Sequence, residues 1–331
     1  MGEIVDELIE IDLESVVAAL RRDHSKLSAR LRQHQHTITC EIDGVTLRLH
    51  FPAFRQGKAT IHELVEVISL SITPFALSRA EIAQVDEKYQ KISAEEFREE
   101  TTKLNETAIK LFIKAAEATG RNGECGELLL YLLTEWVLEA PQIIAKMALK
   151  TNPNAPVLGA DGVHARYCSA TKRLYLYWGE AKLHADVGKA ISSAAESIAK
   201  SLTDESKDHE ISLVRRNIDF SGLDSVSKAE LLNFLDPMKE TSNKRYDVVT
   251  CLIGFNFDGY SKVGPGDGES AEDKFAALAE ERLKAIAPTI TTRLKEHGLD
   301  TSVIELFLLP VPSVQDLRDT FQAKIGWKKS A

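Results

Sequence analysis

The spacing of apolar residues divides the chain into elements before any other feature does. Over residues 3–22, Ile4, Leu8, Ile11, Val16 and Leu20 recur at roughly helical spacing, with acids early and Arg21-Arg22 late, as a helix dipole favours. That predicts an opening amphipathic helix. From Thr37 to Phe51, polar and apolar residues alternate about the Asp43-Gly44 pair, which predicts a two-stranded hairpin. Helical patterns resume over about 60–73 and 78–119, with Pro74 as the break between them. The segment 124–139 is apolar around most of its girth, so it predicts a helix with little surface left for water.

Strands are expected at about 161–167 and 173–184, separated by the polar turn Cys168-Ser169-Ala170-Thr171-Lys172. An Ala-rich helix follows over 185–202, with further helices near 207–217 and 226–235. The runs 247–255 and 302–309 are almost continuously apolar, the mark of strands covered on both faces. Strands alternating with helices give an α/β protein with a mixed central sheet flanked by helices and a small α+β domain at the N-terminus. The expected division is 1–95, an accessory unit whose apolar faces would dock a partner, and 96–331, the larger domain.

Composition narrows the function classes. The chain of 331 residues has 41 Lys plus Arg against 50 Asp plus Glu, a formal charge of −9. A generally basic nucleic-acid binder is excluded, which leaves a local cationic groove or a partner subunit that lends affinity for a polyanion. Cys40, Cys125, Cys168 and Cys251 lie far apart with no CxxC pair, so neither a zinc ribbon nor a disulfide framework is expected. The first residues are acidic and lack the basic flank and apolar stretch of a signal peptide, and no run is long enough to span a membrane. Cytoplasmic location without membrane contact is the expectation.

The sharpest constellation is Gly159-Ala160-Asp161-Gly162-Val163 followed by Glu180-Ala181-Lys182 within an otherwise apolar strand. Side chains alternate along a strand, so Glu180 and Lys182 share a face while Ala181 points the other way. A hairpin with its tip near 169–172 places Asp161 opposite a position close to 180. Two convergent carboxylates and a main-chain carbonyl, that of Ala181, form a hard oxygen site of the kind Mg²⁺ takes. A lysine beside it can orient or acidify a water, or neutralise charge developing at phosphorus. Upstream, Glu127 at the start of the buried helix offers another carboxylate, and Glu124, on about the same helix face, competes with it.

Plainer readings stand beside each of these. Glu180 and Lys182 could be a solvated cross-strand pair, although the apolar flanks argue for burial, where unpaired charge is costly. A glutamate at a helix start also serves the helix dipole. His164 and His184 suit local hydrogen bonds better than metal, because no His/Cys cluster accompanies them. The Gly264–Ser270 loop lacks the ending of a phosphate-binding P-loop. Lys103, Lys110 and Lys114, with Arg166, Lys172, Arg173, Lys189, Arg215 and Arg216, fit a phosphate-tracking groove or a solvated face equally well.

In order, spacing and element type, Glu127, Asp161 and Glu180-Ala181-Lys182 resemble the PD-(D/E)xK nuclease superfamily. More narrowly, Gly126-Glu127-Leu128-Leu129-Leu130, Gly159-Ala160-Asp161-Gly162-Val163-His164 and Trp178-Gly179-Glu180-Ala181-Lys182 resemble the HamA family, nuclease subunits of the Hachiman antiphage defence system. The resemblance spans roughly residues 100–310. It implies a restriction-endonuclease-like fold and a DNase with catalytic Glu127, Asp161, Glu180 and Lys182. Mg²⁺, or Mn²⁺ in its place, would be held by Asp161, Glu180, Ala181 and Glu127. It also implies a HamB-like helicase partner that restrains cleavage until aberrant DNA is sensed. Ala160 stands where the superfamily's name has proline, a position that is not a ligand. The alternative is a nuclease-like scaffold without catalysis that docks a helicase or a nucleic-acid-binding partner.

Overall fold

Alternating and continuous apolar runs assemble into one mixed sheet, seen here in a computed structural model that describes residues 12–119, 123–147, 160–218 and 221–327. Part of the expected opening helix and Gly159 lie outside the described residues. In chain order the strands are β1 Leu31–His34, β2 Val45–Pro52, β3 Phe54–Arg55, β4 Lys58–Ala59, β5 Gln142–Ile144, β6 Val163–Cys168, β7 Arg173–His184, β8 Arg245–Asn256 and β9 Ile304–Val311. β3 and β4 form a small separate hairpin; the other seven form a sheet in the order β1-β2-β9-β8-β7-β6-β5. β2, β9, β8 and β7 are parallel, while β1, β6 and β5 run antiparallel to their neighbours. The α/β class with a mixed, helix-flanked sheet is therefore present.

Helices α1 Leu13–Ala18, α2 Ile61–Ser69, α3 Ile72–Ala76, α4 Arg79–Asp86, α5 Ala94–Thr119 and α6 Glu124–Val137 precede β5. α7 Val187–Ser201, α8 Asp204–Asn217 and α9 Ser225–Asn233 lie between β7 and β8, α10 Ala271–Glu296 joins β8 to β9, and α11 Val314–Lys324 follows. Residues of α2, α3, α5, α6 and α11 share one core on one face of the sheet. On the other face, α7 and α10 cover β2, β8 and β9, and α1, α8 and α9 cover β5 to β7. β8 carries buried residues from Val248 to Phe255 without a break, as its continuous apolar run requires. Among the described residues no helix is long and apolar enough to cross a membrane.

The N-terminal third differs from its sequence expectation. α1 stops at Ala18 rather than running to residue 22. Asp43-Gly44 does turn, with Gly44 at φ +87°, but the antiparallel partner of β2 is the earlier β1, Leu31–His34, and the residues just before the turn form no strand. β2 instead lies between β1 and β9, and the Gly44 carbonyl accepts the Ile304 N–H. The apolar face of α2, with Leu64, Val65 and Ile68, joins the same core as α6 and α11, so the chain covers it internally. Strands from both sides of residue 95 thus share one sheet. Pro74 sits within α3, in its first turn, where a missing N–H breaks no helical bond; the chain changes direction on either side of that helix.

Candidate active site

β6 and β7 are joined by a short turn, so their register is fixed locally, with Val163 paired to Trp178 and His164 to Tyr177. Beyond that pair the ladder becomes irregular. Gly179 donates its N–H to the Gly162 carbonyl at 2.9 Å and accepts the Asp161 N–H at 2.7 Å, so two residues oppose one. Such a bulge re-aims a side chain. Here it lays the Asp161 carboxylate along β7, where Oδ2 accepts the Ala181 N–H at 2.9 Å. The N–H and C=O of a strand residue leave the same edge, so the Ala181 carbonyl also faces the edge that Asp161 occupies.

Glu180 and Lys182 lie on the face of β7 that packs against α7, beside the buried Cys251 of β8. Their side chains form an ion pair and are 12 % and 22 % exposed, which replaces the solvated-pair reading with a mostly buried one. Burial, then the negative charge of Asp161, raises the Glu180 carboxyl above its ordinary range, against the opposing pull of Lys182 and a hydrogen bond from Ser197. Burial works against the Lys182 ammonium, but Glu180 and Asp161 outweigh it and hold its pKa above the usual lysine value. Lys182 is thus a charged donor rather than a proton acceptor near neutral pH. The Cys251 thiol is pushed well up by burial and stays neutral beside them.

α6 crosses the opposite face of β7. A Cβ on Gly126 would stand 3.1 Å from Leu183 Cγ and 3.4 Å from the Ala181 Cβ, and one on Gly179 would stand 3.2 Å from Leu130 Cδ2. These two glycines let helix and strand approach closely. Glu127, half-buried in the first turn of α6, therefore belongs to the helix on the Ala181 side of the sheet, the face opposite Glu180 and Lys182. Glu124 is oriented differently. It is buried beside Cys125 and Arg318 of α11, whose guanidinium donates to the Leu183 carbonyl at 2.7 Å.

The structure thus brings Asp161, Glu180, Lys182 and the Ala181 main chain together. Among the described residues, no three His, Cys, Asp or Glu side chains gather closely enough to hold a metal between them. Two carboxylates and a carbonyl are nonetheless a donor set that fits Mg²⁺, which keeps several of its waters, and the mutual repulsion of Asp161 and Glu180 is what a cation would relieve.

Around this centre, burial, followed by the charges of Arg318, Lys182 and Lys189, pushes the His184 imidazole down. Three cations therefore gather at the end of β7. Arg166 and Arg173 stack over Tyr175 and Tyr246, while Lys103 and Lys110 pair with glutamates along α5. His164 is buried with Nδ1 2.9 Å from the Ala140 carbonyl, a local bond as its sequence setting indicates. Residues that sequence reasoning passed over also matter. Ser197 reaches Glu180 from α7, and His24 bonds Glu135 at 2.7 Å in a buried pair behind Tyr131. Neither carries a motif, because both partners come from distant elements.

The HamA family model matches residues 29–325. No curated protein and no solved structure is significantly similar to the chain.

Proposed function

The chain belongs to the HamA family, a membership that makes it a component of Hachiman antiviral defence, and we propose that its part there is metal-dependent cleavage of DNA phosphodiesters, restrained by a helicase partner. One observation carries the reading: a bulge turns Asp161 onto the strand of Glu180 and Lys182, so two acids and an ammonium share one partly buried spot. A carboxyl raised by burial and by a second carboxylate, beside an ammonium, is a perturbed group of the kind that gathers at functional sites.

Asp161, Glu180 and the Ala181 carbonyl would hold Mg²⁺, or Mn²⁺ in its place, with Glu127 as the candidate for a further oxygen. Bound there, the ion would polarise the scissile phosphate and lower the pKa of a water. Lys182, kept charged by its acidic neighbours, orients the attacking water or donates to a phosphate oxygen as negative charge develops. Ser197 and the Ala181 N–H fix the two carboxylates. The −9 charge of the chain argues that affinity for DNA is lent by the partner, with Lys189 and Arg318 as local contacts at the strand end.

The test is cleavage of plasmid and linear DNA at fixed salt in Mg²⁺, Mn²⁺ or EDTA, with and without the helicase partner. Cleavage that needs the ion and disappears in Glu180→Gln supports the reading. DNA left whole by the partnered chain under every condition would leave a docking scaffold in its place.

A further inference from the structure

Lys146 follows β5 and is a lysine with almost no access to water: its side chain is 1 % exposed, and that of its partner Glu210, on α8, is 4 % exposed. The ammonium donates to both Glu210 oxygens, at 3.1 and 2.8 Å, and to the main-chain carbonyl of Ala160 at 2.6 Å. Ala160 is the residue immediately before Asp161.

We propose that Lys146 and Glu210 form a positioning pair that sets the Asp161 carboxylate for divalent-metal binding, an inference that rests on the metal-site reading above. Stability alone does not account for the pair, since a buried salt bridge is commonly no more stabilising than well-packed apolar side chains of its size. What an apolar pair cannot do is hold a carbonyl. The ammonium spans a carboxylate and a backbone oxygen at once, and Glu210 supplies the counter-charge that lets it stay buried.

Three restraints then act in series on two residues. Lys146 fixes the Ala160 carbonyl, the Gly179 carbonyl fixes the Asp161 N–H, and the Ala181 N–H fixes Asp161 Oδ2. The bulge that aims Asp161 would otherwise be a two-residue irregularity at a strand end, free to relax into regular pairing with its carboxylate turned elsewhere. Groups that orient a metal ligand without touching the metal typically change affinity about 10- to 100-fold when removed.

The test measures Mn²⁺ binding to the full chain by electron paramagnetic resonance, beside its thermal melt, for the parent, Asp161→Asn, Glu210→Gln and the double variant Lys146→Met with Glu210→Leu. The double variant removes both charges and leaves an apolar contact, so it is expected to melt near the parent temperature yet bind Mn²⁺ at least about 10-fold more weakly. A double variant that binds as the parent does overturns the proposal, whatever its melting temperature, because the pair then only ties α8 to the sheet. Should the double variant lose its cooperative melt, the near-isosteric Glu210→Gln is read the same way. If instead the parent and Asp161→Asn bind Mn²⁺ equally, the metal site itself is refuted and the positioning role with it.

Discussion

The Asp161 carboxylate accepts the main-chain N–H of Ala181 at 2.9 Å, so the strand that carries Glu180 and Lys182 is itself the support of the acid beside them. The two halves of the site therefore move as one unit, and changes on either half are expected to act on the same reaction.

Glu180→Gln and Lys182→Met are each expected to lower DNA cleavage by about 10²-fold or more, the scale of losing one preorganised charge at a phosphoryl centre. Circular dichroism should stay close to that of the parent. The melt should hold for Glu180→Gln, which removes a carboxylate whose charged form burial disfavours, and fall for Lys182→Met, which leaves Asp161 and Glu180 repelling each other without their counter-charge. Parental cleavage by either variant would dismiss the assignment.

Adding Mg²⁺ or Mn²⁺ is expected to raise the melting temperature of the parent chain, since an ion that binds only the folded state stabilises it, by roughly 2.7 kcal/mol at a hundredfold excess over its dissociation constant. Asp161→Asn should lose most of that increment, and EDTA should reverse it. Differential scanning fluorimetry across an ion titration reads both.

The two helix-start glutamates are expected to separate cleanly. Glu127→Gln should weaken the ion dependence of cleavage with little change in melting. Glu124→Gln should leave cleavage in place but lower stability, because Arg318 loses a buried neighbour of opposite charge. Steady cleavage assays beside urea unfolding distinguish them, and the opposite assignment would interchange the two results.

Gly126→Ala places a methyl 3.1 Å from Leu183 Cγ and is expected to cost about 1–3 kcal/mol by pushing α6 off β7. Urea unfolding gives the figure, and an unchanged midpoint would mean that helix and strand have room to spare.

Acid should destabilise the fold through His50 and His164. Burial pushes each imidazole down to about 4 from an ordinary 6.5, so the unfolded chain binds more protons between those values. Their contribution is complete above pH 6.5 and is lost as pH falls toward 4, on the order of 3 kcal/mol for each. His50 lies edge-on to Trp136 and Phe307, and His50→Leu should therefore narrow the difference in stability between pH 7 and pH 5. A difference as wide as the parent's would assign the acid sensitivity elsewhere.

Sequence alone determined the parts whose causes are local. α6, β7, α7, β8 and β9 follow from apolar period and continuity, and the meeting of Asp161 with Glu180 and Lys182 follows from a turn of a few residues between β6 and β7, which leaves the register little freedom. Tertiary structure decided what depends on partners far along the chain. Val45 pairs with Ile304, and the antiparallel partner of β2 is β1, Leu31–His34, rather than the residues just before Asp43, so β2 is hydrogen-bonded along both edges inside the sheet. The bulge at Asp161 and Gly162, the choice of Arg318 by Glu124, and the Lys146–Glu210 contact, 64 residues apart, arise from packing between elements. Periodicity records which side of an element is apolar, and it holds no information on which distant charge will be buried against it.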